Sequence, residues 1–165
     1  MAYLLDANIF IQARNLQYGF DFCPAFWDWL VQNNAAGTVF SIQQVGDELR
    51  AGGDDLSDWA AARGDGFFLP PDGVVVPALP RVSIWAAGQN YEAVAVNTFL
   101  QVADYWLVAF ALGHGHTVVT HEVPANSTRK IKIPNACVGL NVRFMTPYQM
   151  LRHERARFVL GPAPN

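Results

Sequence analysis

Four carboxylates stand alone at the edges of apolar segments. They are Asp6 in Tyr3-Leu4-Leu5-Asp6-Ala7-Asn8, Glu48 in Val45-Gly46-Asp47-Glu48-Leu49, Asp104 in Ala103-Asp104-Tyr105-Trp106-Leu107, and Glu122 in Val118-Val119-Thr120-His121-Glu122. An anion withdrawn from water is costly unless it is paired or binds a metal. Four converging on one point would make a hard, oxygen-rich site that suits Mg²⁺ or Mn²⁺. Each also has a plain structural reading, and for Asp6 it is that many folds place an Asp at the end of a strand. Glu48 is then a boundary residue, Asp104 a buried hydrogen-bonding or ion-pairing group, and Glu122 a solvated loop acid. Asn8 either orients Asp6 and holds a water on the metal, or caps the next segment. Thr120 either supports the site with its hydroxyl or is an ordinary strand residue.

Other chemistries find little support. His114, His116, His121 and His153 lack zinc-protease spacing, and His114-Gly115-His116 reads as a polar turn. There is no phosphate-binding glycine loop and no Gly-x-Ser-x-Gly elbow. Cys23 and Cys137 lack metal-site spacing and read as reduced core thiols, with a disulfide as the alternative.

The elements that must position the carboxylates alternate between short apolar strands and helices. Residues 2–5 read as a buried strand ending at Asp6, residues 38–42 as a second, and residues 117–120 as a third rich in β-branched side chains. Helices are expected at residues 24–33 with Pro24 in the first turn, at 43–50, and from Asp54 or Asp55 to Arg63. Gly64 to Pro80 reads as a loop with an extended piece at 67–69, and residues 91–112 as one long helix. A last strand is expected over 141–145, followed by a helix capped by Thr146 with Pro147 in its first turn. This alternation predicts an α/β fold with a mostly parallel central sheet. Function in such sheets sits at the carboxyl ends of the strands, where Asp6 and Glu122 fall.

Helical geometry sorts the acids further. At about 100° per residue, Ile42, Val45 and Leu49 share one face, Asp47 points to solvent, and Glu48 lies on the flank. Asp104 shares a face with Leu100 and Val108, while Val102, Trp106 and Phe110 make the opposite face apolar too. That helix is therefore expected to be buried nearly all round.

The 165 residues suit a single domain over 1–160, with residues 161–165 as a flexible tail. At 52% hydrophobic, the chain can build a core. No signal peptide or membrane span is expected, so the chain reads as cytoplasmic. The net charge of −3 hides an asymmetry: residues 1–128 carry 4 Lys/Arg against 13 Asp/Glu, and residues 129–165 carry 7 against 1. Arg129, Lys130, Lys132, Arg143, Arg152, Arg155 and Arg157 make that second part either a surface for nucleic-acid phosphates or an acidic partner, or a solvated helix.

The ordered set Leu4-Leu5-Asp6-Ala7-Asn8, Asp47-Glu48-Leu49, Ala103-Asp104-Tyr105-Trp106-Leu107-Val108-Ala109 and Val119-Thr120-His121-Glu122 resembles the PIN-domain family. The aromatic run from Tyr18 to Leu30 and the segment Lys130 to Asn135 look like a PIN-like subfamily of bacteria and archaea. The resemblance implies a three-layer α/β/α fold and a metal-dependent endoribonuclease, the toxin of a type II toxin–antitoxin pair. Asp6, Glu48 and Asp104 match the family's three most regular acidic positions. Glu122 matches the fourth, where the family usually has Asp; its longer side chain would reach the metal directly or through a water. The implied chemistry is a carboxylate-held Mg²⁺ or Mn²⁺ activating water to cut RNA, with Arg129, Lys130 and Lys132 holding flanking phosphates. A protein antitoxin and a second copy of the chain are the expected partners, with the aromatics from Phe20 to Trp29 as the interface. Two alternatives stand beside this. One is a PIN scaffold that has lost catalysis and serves as a binding module. The other is a haloacid-dehalogenase-like phosphohydrolase, which wants an Asp where the chain has Asn8.

Overall fold

The computed structural model describes residues 1–162. Residues 163–165 of the expected flexible tail lie outside the described residues. Five short strands form one all-parallel sheet: β1 (Tyr3–Leu5), β2 (Val39–Ile42), β3 (Phe68–Leu69), β4 (Thr117–Val119) and β5 (Phe144–Met145). Their order is β3-β2-β1-β4-β5. The strands at the centre are buried on both faces, as expected for a parallel sheet covered by helices. The result is a three-layer α/β/α fold.

Nine α-helices surround the sheet among the described residues: α1 (Ala7–Gln12), α2 (Pro24–Ala35), α3 (Gln43–Arg50), α4 (Asp55–Ala61), α5 (Ala78–Gly88), α6 (Ala93–Phe99), α7 (Ala103–His114), α8 (Ile133–Gly139) and α9 (Pro147–His153). Local chemistry explains several boundaries. Pro24 opens α2 where no N–H is needed. Asp54 with Ser57, and Thr146 with Gln149, form reciprocal capping boxes at the starts of α4 and α9. Gly115 closes α7 with φ of 71°, a left-handed conformation that only glycine adopts cheaply.

Three expectations need correcting. The single helix over 91–112 is two helices, α6 and α7, broken at Leu100–Val102 and bent by 69°. Val102 is the exposed N-cap of α7 rather than part of a buried face, and Asp104 falls in that helix's first turn. The supposed loop up to Pro80 already contains the start of α5, because Pro80 lies in the first helical turn, where it breaks no hydrogen bond. The last strand is only Phe144–Met145; Asn141 has φ of 56° and turns the chain out of α8 instead. No single helix among the described residues is long and apolar enough to cross a membrane.

The aromatic run is core more than surface. Phe26, Trp27 and Leu30 are buried, Tyr18 stacks on Phe26 and Phe20 on Trp27, while Phe22 is exposed. Cys23 and Cys137 are both free thiols. Burial, reinforced by the nearby Glu122 charge, pushes the Cys137 thiol up to about 12, so it is inert at neutral pH.

One contact locks the sheet beneath the site. The fully buried Ser41 hydroxyl of β2 donates to the Leu5 carbonyl of β1 at 2.6 Å. Ser41→Ala removes that donor from a dry environment. The expected cost is about 1.5 kcal/mol, or a Tm lower by about 4 °C. A melting curve by circular dichroism checks this; an unchanged Tm would mean that the carbonyl is satisfied without the hydroxyl.

Candidate functional site

The order β3-β2-β1-β4-β5 puts the topological switch point between β1 and β4, where parallel sheets open a crevice at their carboxyl ends. Leu5 pairs with Val119, and the Asp6 N–H continues the ladder to the Val119 carbonyl at 2.9 Å. Asp6 and Thr120 therefore leave their strands side by side. The Thr120 hydroxyl donates to Asp6 Oδ2 at 2.8 Å, and both side chains are buried. Thr120 Oγ1 also accepts from Asn8 Nδ2 at 3.3 Å and from the Glu122 N–H at 3.0 Å. Asn8 Oδ1 accepts from the His121 N–H at 3.2 Å. Asn8 thus ties α1 to the end of β4, and both polar ends of its amide are bonded.

Asp104 comes to the same place from the first turn of α7, where the positive helix end favours a carboxylate. Burial first, then repulsion from Asp104, pushes Asp6 up to about 7 against the stabilising bond from Thr120; Glu122 adds to the rise. Burial, followed by repulsion from Glu122 and Glu48, raises Asp104 to about 6, with the Lys130 ammonium opposing. Two carboxyls raised toward the neutral range by burial and by neighbouring acids are the mark of anions gathered with too little positive charge.

Glu48 enters from α3. It is exposed, and it lines a cavity of about 550 Å³ together with Gln44, Gln101, Asp104, Trp106 and Lys130. Asp47, read as a solvent residue, is exposed and paired with Arg50 at 3.0 Å, though it too reaches this cavity's edge. Glu122 is partly committed elsewhere. Its Oε2 accepts the Ile133 N–H at 2.9 Å, closing the start of α8. Among the described residues, no three His, Cys, Asp or Glu side chains stand close enough to hold a metal ion. The expected four-carboxylate cage is therefore not formed by the side chains as they stand. The donor set still fits a divalent cation in charge and chemistry. Its oxygens are hard, its negative charge is unbalanced, and Gln44 Oε1 is a buried acceptor with no hydrogen-bond partner. Mg²⁺ in particular is commonly held by one or two carboxylates, waters and substrate phosphates rather than by a full protein cage.

The basic residues divide. Lys130 stands beside Asp104. Arg129 lines a smaller neighbouring cavity and lies 3.9 Å from Glu92. Lys132 is the N-cap of α8 and lines neither cavity. Two of the histidines serve structure: His114 Nε2 pairs with Asp72 at 2.9 Å, and His116 Nδ1 accepts the Ala2 N–H.

A family model described as a domain of unknown function, DUF4411, matches residues 3–158. The chain belongs to the DUF4411 family. No curated protein and no solved structure matches the sequence. The match to DUF4411 takes in all five strands and every acid of the site. Within this DUF4411 chain, sequence reasoning missed Gln44 and Trp106 as site residues. Gln44 was findable, since it sits four residues before Glu48 on the same face of α3. Trp106 was not, because the break before α7 changes which of its surfaces are covered.

Proposed function

We propose that this DUF4411 chain is a Mg²⁺- or Mn²⁺-dependent endoribonuclease of the PIN type, acting as the toxin of a type II toxin–antitoxin pair in the cytoplasm. The observation that carries the reading is the pair Asp6, buried, and Asp104, half-buried, at the switch point, both raised toward neutral pH by burial and by neighbouring acids. Asp6, Asp104 and Glu48 would hold the ion, with Glu122 reaching it through water. A divalent cation bound there supplies the positive charge that offsets the carboxylates and the substrate phosphate, and it acidifies water. The chain's own residues do the positioning. Thr120 fixes the Asp6 carboxylate, Asn8 fixes Thr120, and Gln44 offers its free acceptor to a water in the cleft. Lys130 brings a cation to the mouth of the cleft and binds a phosphate of the RNA.

A binding module without catalysis is the second reading. It is favoured by the commitment of Glu122 to the Ile133 N–H and by the open spacing of the acids. The phosphohydrolase reading loses its second acid, because Asn8 is spent on Thr120 and His121. Incubating a mixed RNA pool with the chain in Mn²⁺ or in EDTA tests the proposal. Cleavage in Mn²⁺ alone is expected. RNA bound equally in both and never cut would favour the binding module.

The partner part of the proposal is a homodimer and a protein antitoxin. It draws support from Ile84 and Val138, large exposed apolar side chains on α5 and α8, two helices that pack together. Light scattering at micromolar concentration should give twice the 18.2 kDa chain mass. A monomer would remove the dimer.

A further inference from the structure

The cleft over Asp104 has two lobes. The larger, about 550 Å³, is walled by Gln44, Glu48, Gln101 and Trp106. The smaller, about 200 Å³, is walled by Ala95, Phe99, Arg129 and Ile131. Thr98, Val102, Asp104 and Lys130 line both. Lys130 therefore stands where the lobes meet, beside the Asp104 carboxyl proposed to hold the ion. Two features of the larger lobe have no part in holding a metal. Trp106, half-buried, offers the lobe an indole wall. The Gln101 amide and the Thr98 hydroxyl, both exposed, stand at the same wall with no role in the fold's hydrogen bonding among the described residues.

We infer that the larger lobe is a nucleotide subsite in which one unpaired base stacks on Trp106 while Lys130 holds the adjoining phosphate. This rests on the nuclease reading of the same cleft. The lobe's acids, Asp47, Glu48 and Asp104, repel a bare anion, so a ligand must bring apolar area and meet the positive charge at a single point. A nucleotide in a flexible strand does both: its base has a π-face for an indole, and its phosphate lies one sugar away. The amide and hydroxyl at the wall can meet a base edge. A base inside a duplex is stacked on its neighbours and offers no free face, so the ligand is a single strand.

The test is fluorescence anisotropy of a labelled, unstructured RNA octamer in EDTA, where no strand is cut. Wild type, Trp106→Ala, Trp106→Phe and Lys130→Ala are compared, each also against an abasic strand of the same length. Trp106→Ala should weaken octamer binding about tenfold, while Trp106→Phe stays near wild type. The abasic strand should bind wild type as weakly as the octamer binds Trp106→Ala. Lys130→Ala should weaken both strands and lower the slope of log K against log salt by about 0.7. Equal octamer binding by wild type and Trp106→Ala overturns the subsite, as does wild-type preference for neither strand or no binding at all. If the alanine variant fails to fold by circular dichroism, the abasic comparison on wild type decides. Trp106-dependent binding without Mn²⁺-dependent cleavage would overturn the nuclease reading and leave the subsite standing.

Discussion

Asp104→Asn should lower Mn²⁺-dependent RNA cleavage about 10³-fold or more, with Asp6→Asn close behind. Asp6 is buried and Asp104 half-buried at the switch point, and burial and their neighbours' charges hold both carboxyls above their ordinary range. Removing either leaves the remaining acids too few to balance a divalent cation. Losing about 4 kcal/mol of charge stabilisation in the transition state corresponds to that factor. Asn keeps the size and polar shape of Asp, so Thr120 can still donate to position 6 and the fold is preserved. Asp65→Asn, in the exposed turn before β3, serves as the control and should cut at the wild-type rate. Initial rates on one labelled RNA with a circular-dichroism melt for each variant settle the point. Wild-type cleavage by Asp104→Asn would sink the assignment.

Without metal, the fold is expected to lose stability as pH rises from about 4 to about 7. Folded Asp6 keeps its proton up to about pH 7, whereas in the unfolded chain it loses it near its ordinary value of 3.8. Between these limits the folded state binds the proton and the unfolded state does not, so each rise in pH favours unfolding. The stabilisation is complete below pH 4 and gone above pH 7. For a group this well buried the whole shift corresponds to roughly 4 kcal/mol. Asp104, raised in the same direction and coupled to Asp6, acts over an overlapping window. Asp6→Asn should flatten much of this slope in EDTA and melt above wild type at pH 8. Added Mg²⁺ should raise the wild-type Tm at pH 8 and the variant's far less. Thermal melts across pH with EDTA or Mg²⁺ provide the check. A wild-type curve flat from pH 4 to 7, or an equal Mg²⁺ shift for both proteins, would contradict the proposed strain.

These two outcomes are linked through a chemical tension in the site. The fold tolerates gathered acids because its hydrogen bonds elsewhere are satisfied: Thr120 makes three around Oγ1, Asn8 two, and Ser41 one into β1. Positions that are costly to the bare fold are common where a ligand later repays them.

Much of the frame was readable from local signals. Tyr3-Leu4-Leu5 and Thr117-Val118-Val119 are strands because short apolar and β-branched runs suit a doubly covered sheet. Pro24, Asp54 and Thr146 mark helix starts because their backbone and side-chain chemistry acts within one turn. Glu48 on the flank of α3 followed from helical angle alone. The break at Leu100–Val102 was not readable, because no proline or glycine marks it and both flanking segments are good helical patterns. It matters because it moves Asp104 from mid-helix to a first turn at the cleft.

The sequence by itself determined the element types, the alternation that demands a parallel sheet, and the acid-bearing ends of those elements. Each of these depends on residues a few positions apart. The tertiary structure alone decided that Asp6 and Asp104, 98 positions apart, come close enough to repel, that Lys130 stands beside Asp104, and that one oxygen of Glu122 is committed to α8. Those facts follow from strand order and from a helix break, both set by packing between distant segments, and no local pattern encodes them.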